Sequence, residues 1–126
     1  MPAKVLIVDD CETTATPLEI ALASLAGIEV VMLTSAFAAL SILQDRHCHV
    51  AAVVTDLHLP QMNGFELIDN IRKNKRYAKI PVVVITGDSN AATRSLAFQK
   101  GASAYFPKPY SPADIRTELE RLLHAS

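Results

Sequence analysis

Short apolar runs alternate with longer stretches of helical period along this chain, and that alternation limits its fold more than any other feature. Val5-Leu6-Ile7-Val8, Val50-Ala51-Ala52-Val53-Val54-Thr55 and Pro81-Val82-Val83-Val84-Ile85 are apolar at successive positions, not at alternate ones. As strands they bury both faces. A parallel sheet with helices on each side and right-handed crossovers is the arrangement that allows this. Strands are expected near 4–9, 28–33, 50–55, 81–86 and 103–106, with helices near 12–26, 35–45, 63–74, 89–100 and 111–124. The predicted fold is α/β: a doubly wound, five-stranded parallel sheet in order 2-1-3-4-5 with five helices.

A chain of 126 residues suits one domain, 1–126, with one core. Half of its residues are apolar and it has no low-complexity tract, repeat or linker, which argues against disorder. Its start at Met1 and the helical run to Ser126 lead us to expect a complete short chain. Helix ends carry their own signals. Ser111-Pro112-Ala113-Asp114 is an N-cap with Pro in the first turn, and Tyr110 and Ile115 can staple it. Asn63 with Glu66 forms a second capping pattern. Gly27 and Gly101 follow helical stretches as stops. Pro17 leaves the first helix two starts, near Thr16 or near Glu12. The earlier one, with a distorted first turn, is favoured.

Chemistry-bearing residues recur at the strand ends. The first strand runs into Asp9-Asp10, the third into Asp56, the fourth into Thr86, and the fifth into Lys108. In an open parallel sheet ligands collect beyond the carboxyl ends of the strands, where strand order reverses. In order 2-1-3-4-5 that point lies between strands one and three, so three carboxylates converge there. Clustered carboxylates repel one another, and a hard cation relieves the conflict. Mg²⁺ suits one or two carboxylates plus a phosphate oxygen. Lys108 and Thr86 add an ammonium group and a hydroxyl for phosphoryl oxygens. A carboxylate under such a clamp can act as nucleophile toward phosphorus.

Val8-Asp9-Asp10, Asp56-Leu57-His58-Leu59-Pro60-Gln61-Met62-Asn63-Gly64, Thr86-Gly87 and Tyr105-Phe106-Pro107-Lys108-Pro109 are each weak signals. In this order and spacing the chain resembles, over its whole length, a response-regulator receiver domain of two-component signalling, of the stand-alone type. That resemblance implies a flavodoxin-like fold with Asp56 as phosphoacceptor. It implies Asp10 as a direct Mg²⁺ ligand, Asp9 as holder of a metal-bound water, and the backbone carbonyl of His58 as a further ligand. Thr86 and Lys108 would contact phosphoryl oxygens, Gly87 would leave room for them, and the Lys108–Pro109 bond would be cis. On phosphorylation Thr86 would move toward the new oxygens and Tyr105 would rotate inward. The loop 87–90 would shift with helix four and change the surface of helix four, strand five and helix five. A phosphohistidine donor, either a histidine kinase or a histidine phosphotransfer protein, and an unknown downstream protein are the implied partners. The chain would be cytoplasmic, a monomer or a phosphorylation-dependent dimer. Its reactions would be its own phosphorylation and slow autodephosphorylation, not the turnover of a metabolite.

Other readings are weaker. A haloacid-dehalogenase-type phosphohydrolase needs a second acid where this chain has His58, and room for a cap. A flavodoxin-like cofactor binder needs a hydroxyl-rich phosphate loop where this chain has Asp9-Asp10-Cys11-Glu12. His47-Cys48-His49 is too tightly spaced for a usual zinc site and has no second ligand pair. Cys11 stands beside anions, which disfavour a reactive thiolate. His58 and Asp88 are expected either to face the mouth of the site and set the lifetime of a phosphorylated form, or simply to point to solvent. The formal net charge is −1. The basic residues read as dispersed, so no direct DNA binding is expected. No apolar run is long enough for a membrane span.

Overall fold

The computed structural model describes residues 3–88 and 90–124, without the side chains of Glu12 and Thr14. Met1, Ser126 and Ser89 of the expected 87–90 switch loop lie outside the described residues. Five strands alternate with five helices: β1 (Ala3–Val8), α1 (Glu12–Ala23), β2 (Ile28–Leu33), α2 (Ala36–Gln44), β3 (Val50–Asp56), α3 (Gly64–Lys73), β4 (Val82–Thr86), α4 (Ala91–Lys100), β5 (Ala104–Pro107) and α5 (Pro112–His124). The strands form one sheet in order β2-β1-β3-β4-β5, and every pairing is parallel.

The successive apolar residues divide between two cores, one on each face. Leu6, Val8, Val53 and Val84 pack with Leu43, Leu67, Ile68 and Ile71 under α2 and α3. Val5, Ile7, Val54 and Ile85 pack with Leu18, Leu22, Ile115 and Leu119 under α1 and α5. Adjacent residues on β1, β3 and β4 thus serve opposite layers, which is why these strands carry no polar alternation.

α1 takes the early start, at Glu12, with Pro17 inside the helix and no side-chain cap from Cys11. It ends at Ala23, short of the expected 26, and the chain turns through Gly27 at φ +75°. α3 opens on a full capping box in which Asn63 accepts from the Glu66 amide and Glu66 accepts from that of Asn63. Register brings the strand ends level: Val8 lies opposite Thr55, Asp56 opposite Ile85, and Thr86 opposite Pro107. The segments that leave β1, β3, β4 and β5 therefore meet at one end of the sheet.

Candidate functional site

Asp9 leaves β1 and Asp56 closes β3, and both are buried at 1% and 6% exposure. Asp10 is exposed. Carboxylate oxygens of all three lie within 4.8 Å of one another. Lys108, just past β5, reaches in from the other side. Its Nζ stands 3.0 Å from Asp9 Oδ2 and 2.6 Å from Asp56 Oδ2. The other oxygen of each buried acid is held by the turn immediately after it. Asp9 Oδ1 accepts from the Cys11 amide at 2.9 Å, and Asp56 Oδ1 from the His58 amide at 3.0 Å. These bonds aim the carboxylates without neutralising them.

Three carboxylates facing one ammonium leave an excess of two negative charges if all are ionised. Burial works against the Lys108 charge, but hydrogen bonds to Asp56 and Asp9 outweigh it and hold its pKa above the ordinary lysine value. A hard divalent cation with oxygen ligands fits this donor set and its unbalanced charge.

Thr86 is fully buried, and its Oγ1 accepts from the Asp88 amide at 3.1 Å. Its carbonyl accepts from the Lys108 amide at 2.7 Å, so β4 sets the position of the lysine's backbone. The Lys108–Pro109 peptide bond is cis. A Cβ at Gly87 would meet nothing within 4 Å, so this edge of the site is open. Gly64 is its opposite. A Cβ there would fall 2.4 Å from the Asp56 carbonyl oxygen, so α3 can begin this close to the end of β3 only on glycine.

The mouth differs in detail from the sequence expectation. His58 is exposed, and its Nε2 lies 3.8 Å from Asp88 Oδ2, an ion pair only when the imidazole is protonated. The Asp88 carboxylate is engaged by the start of α4: Oδ1 accepts from the Asn90 amide at 2.8 Å and Oδ2 from Thr93 Oγ1 at 3.0 Å. The Asn90 bond, then Thr93, with a smaller contribution from His58, lowers its pKa. The Asp88 carbonyl accepts from the half-buried Tyr105 hydroxyl at 2.6 Å. A continuous relay thus runs from Thr86 through Asp88 to α4 and to Tyr105. Sequence reading placed Thr86 and Tyr105 in a switch but missed Asp88 as the residue that joins them. An Asx-type acid two residues before Asn90 was the available signal. It read Tyr110 only as part of a staple and missed its hydroxyl, which is buried without a hydrogen-bond partner among the described residues. Burial raises its pKa, helped by Asp9 and opposed by Lys108. His47, Cys48 and His49 lie at the opposite end of the sheet, and the acidic trio is the metal-capable cluster among the described residues.

Comparison with known proteins agrees with this geometry. A family model described as the response regulator receiver domain matches residues 5–120. A chemotaxis protein CheY homolog of Campylobacter jejuni is 29% identical over 95% of this chain and 92% of its own length. The structure of the chemotaxis response regulator CheY4 of Vibrio cholerae superposes with a TM-score of 0.84 at 26% identity, over 97% of this chain and 99% of that one. The receiver domain of a Pseudomonas aeruginosa sensor histidine kinase has a TM-score of 0.83 at 25% identity, covering 99% of this chain and 100% of that one. That domain was solved with a magnesium ion coordinated in its active-site cleft.

Proposed function

The chain belongs to the response-regulator receiver family of two-component signalling, and from that premise we propose that it accepts a phosphoryl group on Asp56 and signals through a protein-binding surface that the modification reshapes. The observation that carries this reading is Lys108 Nζ between the carboxylates of Asp9 and Asp56, with Asp10 beside them. In-line transfer needs positioning and charge neutralisation more than any other device.

In this reading a carboxylate oxygen of Asp56 attacks phosphorus as the N–P bond of a donor phosphohistidine breaks. The imidazole leaves with the electron pair and takes up a proton. A mixed anhydride, aspartyl phosphate, remains. Lys108 stays paired with the new phosphoryl oxygens, and the Thr86 hydroxyl donates to them. Asp10, Asp56 and the His58 carbonyl would hold Mg²⁺, with Asp9 acting through a water. When bound, the ion balances the acidic cluster and the charge that develops on the phosphoryl oxygens. Gly87 leaves that side free of a side chain.

The switch uses the relay. Drawing Thr86 Oγ1 toward a phosphoryl group competes with its bond from the Asp88 amide. Asp88 also holds the start of α4 and the Tyr105 hydroxyl, so both respond together. Tyr105 and the face of α4, β5 and α5 then present a different surface, and a partner that prefers one form reads the state by population shift. The donor is a histidine kinase or histidine phosphotransfer protein. The chemistry is a single transfer onto the chain's own Asp56 followed by slow hydrolysis, not metabolite turnover. No described helix is long and apolar enough to cross a membrane. A cytoplasmic setting, with the chain a monomer that can dimerise on phosphorylation, completes the proposal.

Incubation with acetyl phosphate and Mg²⁺, followed by intact-mass measurement, tests it. Wild type should gain one phosphoryl group, and neither Asp56→Asn nor an EDTA-treated sample should do so. An equal gain in Asp56→Asn would assign the acceptor elsewhere and end the proposal. Phospho-Asp decay in His58→Ala tests the part given to the mouth, and an unchanged rate would remove His58 from it.

A further inference from the structure

The end of the sheet where the strands begin carries a charge balance opposite to that of the acidic site. Residues 72–79 read Arg-Lys-Asn-Lys-Arg-Tyr-Ala-Lys, five cations in eight positions, which corrects the expectation of dispersed basic residues. Arg72 is engaged internally, donating to the carbonyls of Gly101, Ala78 and Ile80. Lys73, Lys75, Arg76 and Lys79 are exposed, as is Arg46 of the α2–β3 loop. Arg76 joins the two loops by donating to the Asp45 and Arg46 carbonyls at 3.4 Å. None of these five surface cations forms an ion pair among the described residues. Asp45 is the one acid in the two loops, 45–49 and 74–81.

Beside these cations lies a shallow groove of about 370 Å³. Ile80, Pro81, Leu122 and Leu123 supply its apolar lining, and His49, Arg76 and Lys79 its polar edge. Unpaired positive charge around an aliphatic floor selects an occupant with the complementary pair of properties, carboxylates outside and a large apolar side chain inside. We propose that this groove docks an acidic, apolar-bearing peptide segment of a partner protein, at the pole away from Asp56.

The chemistry favours a peptide over the other polyanions. Single-stranded nucleic acid needs aromatic platforms for its bases. The groove offers aliphatic side chains instead, and Tyr77 of the adjoining loop is only 1% exposed, beneath the Arg76 guanidinium. An anionic bilayer is gripped by protruding apolar side chains beside the cations. Among the described residues the large exposed apolar ones are Ile20, Phe37, Leu96 and Phe98, and none borders this groove.

Fluorescence anisotropy on the full chain tests the proposal. The probe is a labelled peptide in which Asp and Glu alternate with Leu and Phe. The comparisons are an oligo-Glu peptide of equal charge, vesicles of phosphatidylcholine with phosphatidylserine, and an oligo-dT strand. Saturable one-to-one binding of the probe, stronger than any comparison, is expected. A Lys75→Glu/Lys79→Glu variant with an unchanged circular dichroism spectrum should bind about tenfold more weakly, since each reversal removes an attraction and adds a repulsion. Amide shifts on binding should centre on 46–50 and 76–81. Equal binding of oligo-Glu, tighter binding of vesicles or oligo-dT, undiminished binding by the double variant, shifts centred elsewhere, or no binding would each overturn it.

Discussion

Asp10 is the exposed member of a trio whose other two acids are buried and paired with Lys108. Removing its charge relieves repulsion in the metal-free protein and removes a ligand from the metal-bound one, so the two conditions move in opposite directions. Asp10→Asn should melt at the wild-type temperature or slightly above without Mg²⁺. Its Mg²⁺ affinity should fall by about tenfold or more, a loss of about 1.4 kcal/mol or more in binding. Thermal melts across a Mg²⁺ titration measure both. Tyr105 gives a pH signature. Burial first, then Asp88, raises its pKa above the ordinary 10.0. A phenol with a raised folded pKa contributes stability that is complete below pH 10 and is lost as pH rises through the folded value. Denaturant midpoints of wild type should therefore fall more steeply than those of Tyr105→Phe above about pH 10. The acids and Lys108 were legible in the sequence because each ends or closely follows a strand, and topology alone carries strand ends to one place. The engagement of Asp88 and the orphaned Tyr110 hydroxyl were not, because loop side-chain directions depend on tertiary neighbours that no local period encodes.

α3 shows how an element places chemistry that it does not itself supply. Its capping box fixes where the helix begins, and Gly64 lets that beginning press against the Asp56 carbonyl. A methyl group at this position has backbone for a neighbour, not a side chain that can turn aside, so the β3–α3 connection must move. Gly64→Ala should cost about 1–3 kcal/mol of stability, as overpacking does. It should also slow phosphoryl uptake from acetyl phosphate, because the His58 amide that holds Asp56 Oδ1 lies in the displaced turn. Urea denaturation together with a timed mass assay would report both, and a variant with wild-type stability and rate would show that the loop accommodates the methyl. The capping box was readable from Asn63 and Glu66, whereas the crowding at Gly64 was not, since it depends on where two non-adjacent segments meet. The basic pole was readable too and was passed over: four of its five surface cations lie in the contiguous run 73–79, and only Arg46, reached through Arg76, comes from a loop about thirty positions away. Element order, by contrast, came directly from the doubly apolar strands. The helix ends departed from expectation by up to three residues whether capped or not: α1 ends at Ala23 against the expected 26, and α4 starts at Ala91 behind its Asn90 cap against the expected 89.

The molecule as a whole is unevenly held. β4 is buried at every position and β3 at all but Ala51, both flanked on the two sides by paired strands, and β1 is buried from Val5 to Val8. β5 is a four-residue edge strand with no fully buried position, and α4 beside it buries only Ala97 among its described residues. Such a contrast divides a domain into a part that opens only with global unfolding and a part that opens on its own. The proposed signal enters at the firm centre, at the ends of β1 and β3, and leaves by the loose edge. That placement fits the energetics of a switch: a modification worth a few kcal/mol cannot rearrange a packed central sheet, but it can rebalance an element whose local opening costs no more than that. Native-state hydrogen exchange should therefore show amides of β1, β3 and β4 exchanging at the global rate, and those of α4 and β5 much faster through local opening. Adding Mg²⁺ with acetyl phosphate should change protection most at the start of α4 and around Tyr105, where Asp88 distributes its bonds. Asp56→Asn should remove that change while keeping the basal gradient. Uniform protection across the sheet and α4, or a phosphorylation effect spread evenly over all five strands, would mean that the signal travels by global tightening and not through the loosely packed edge.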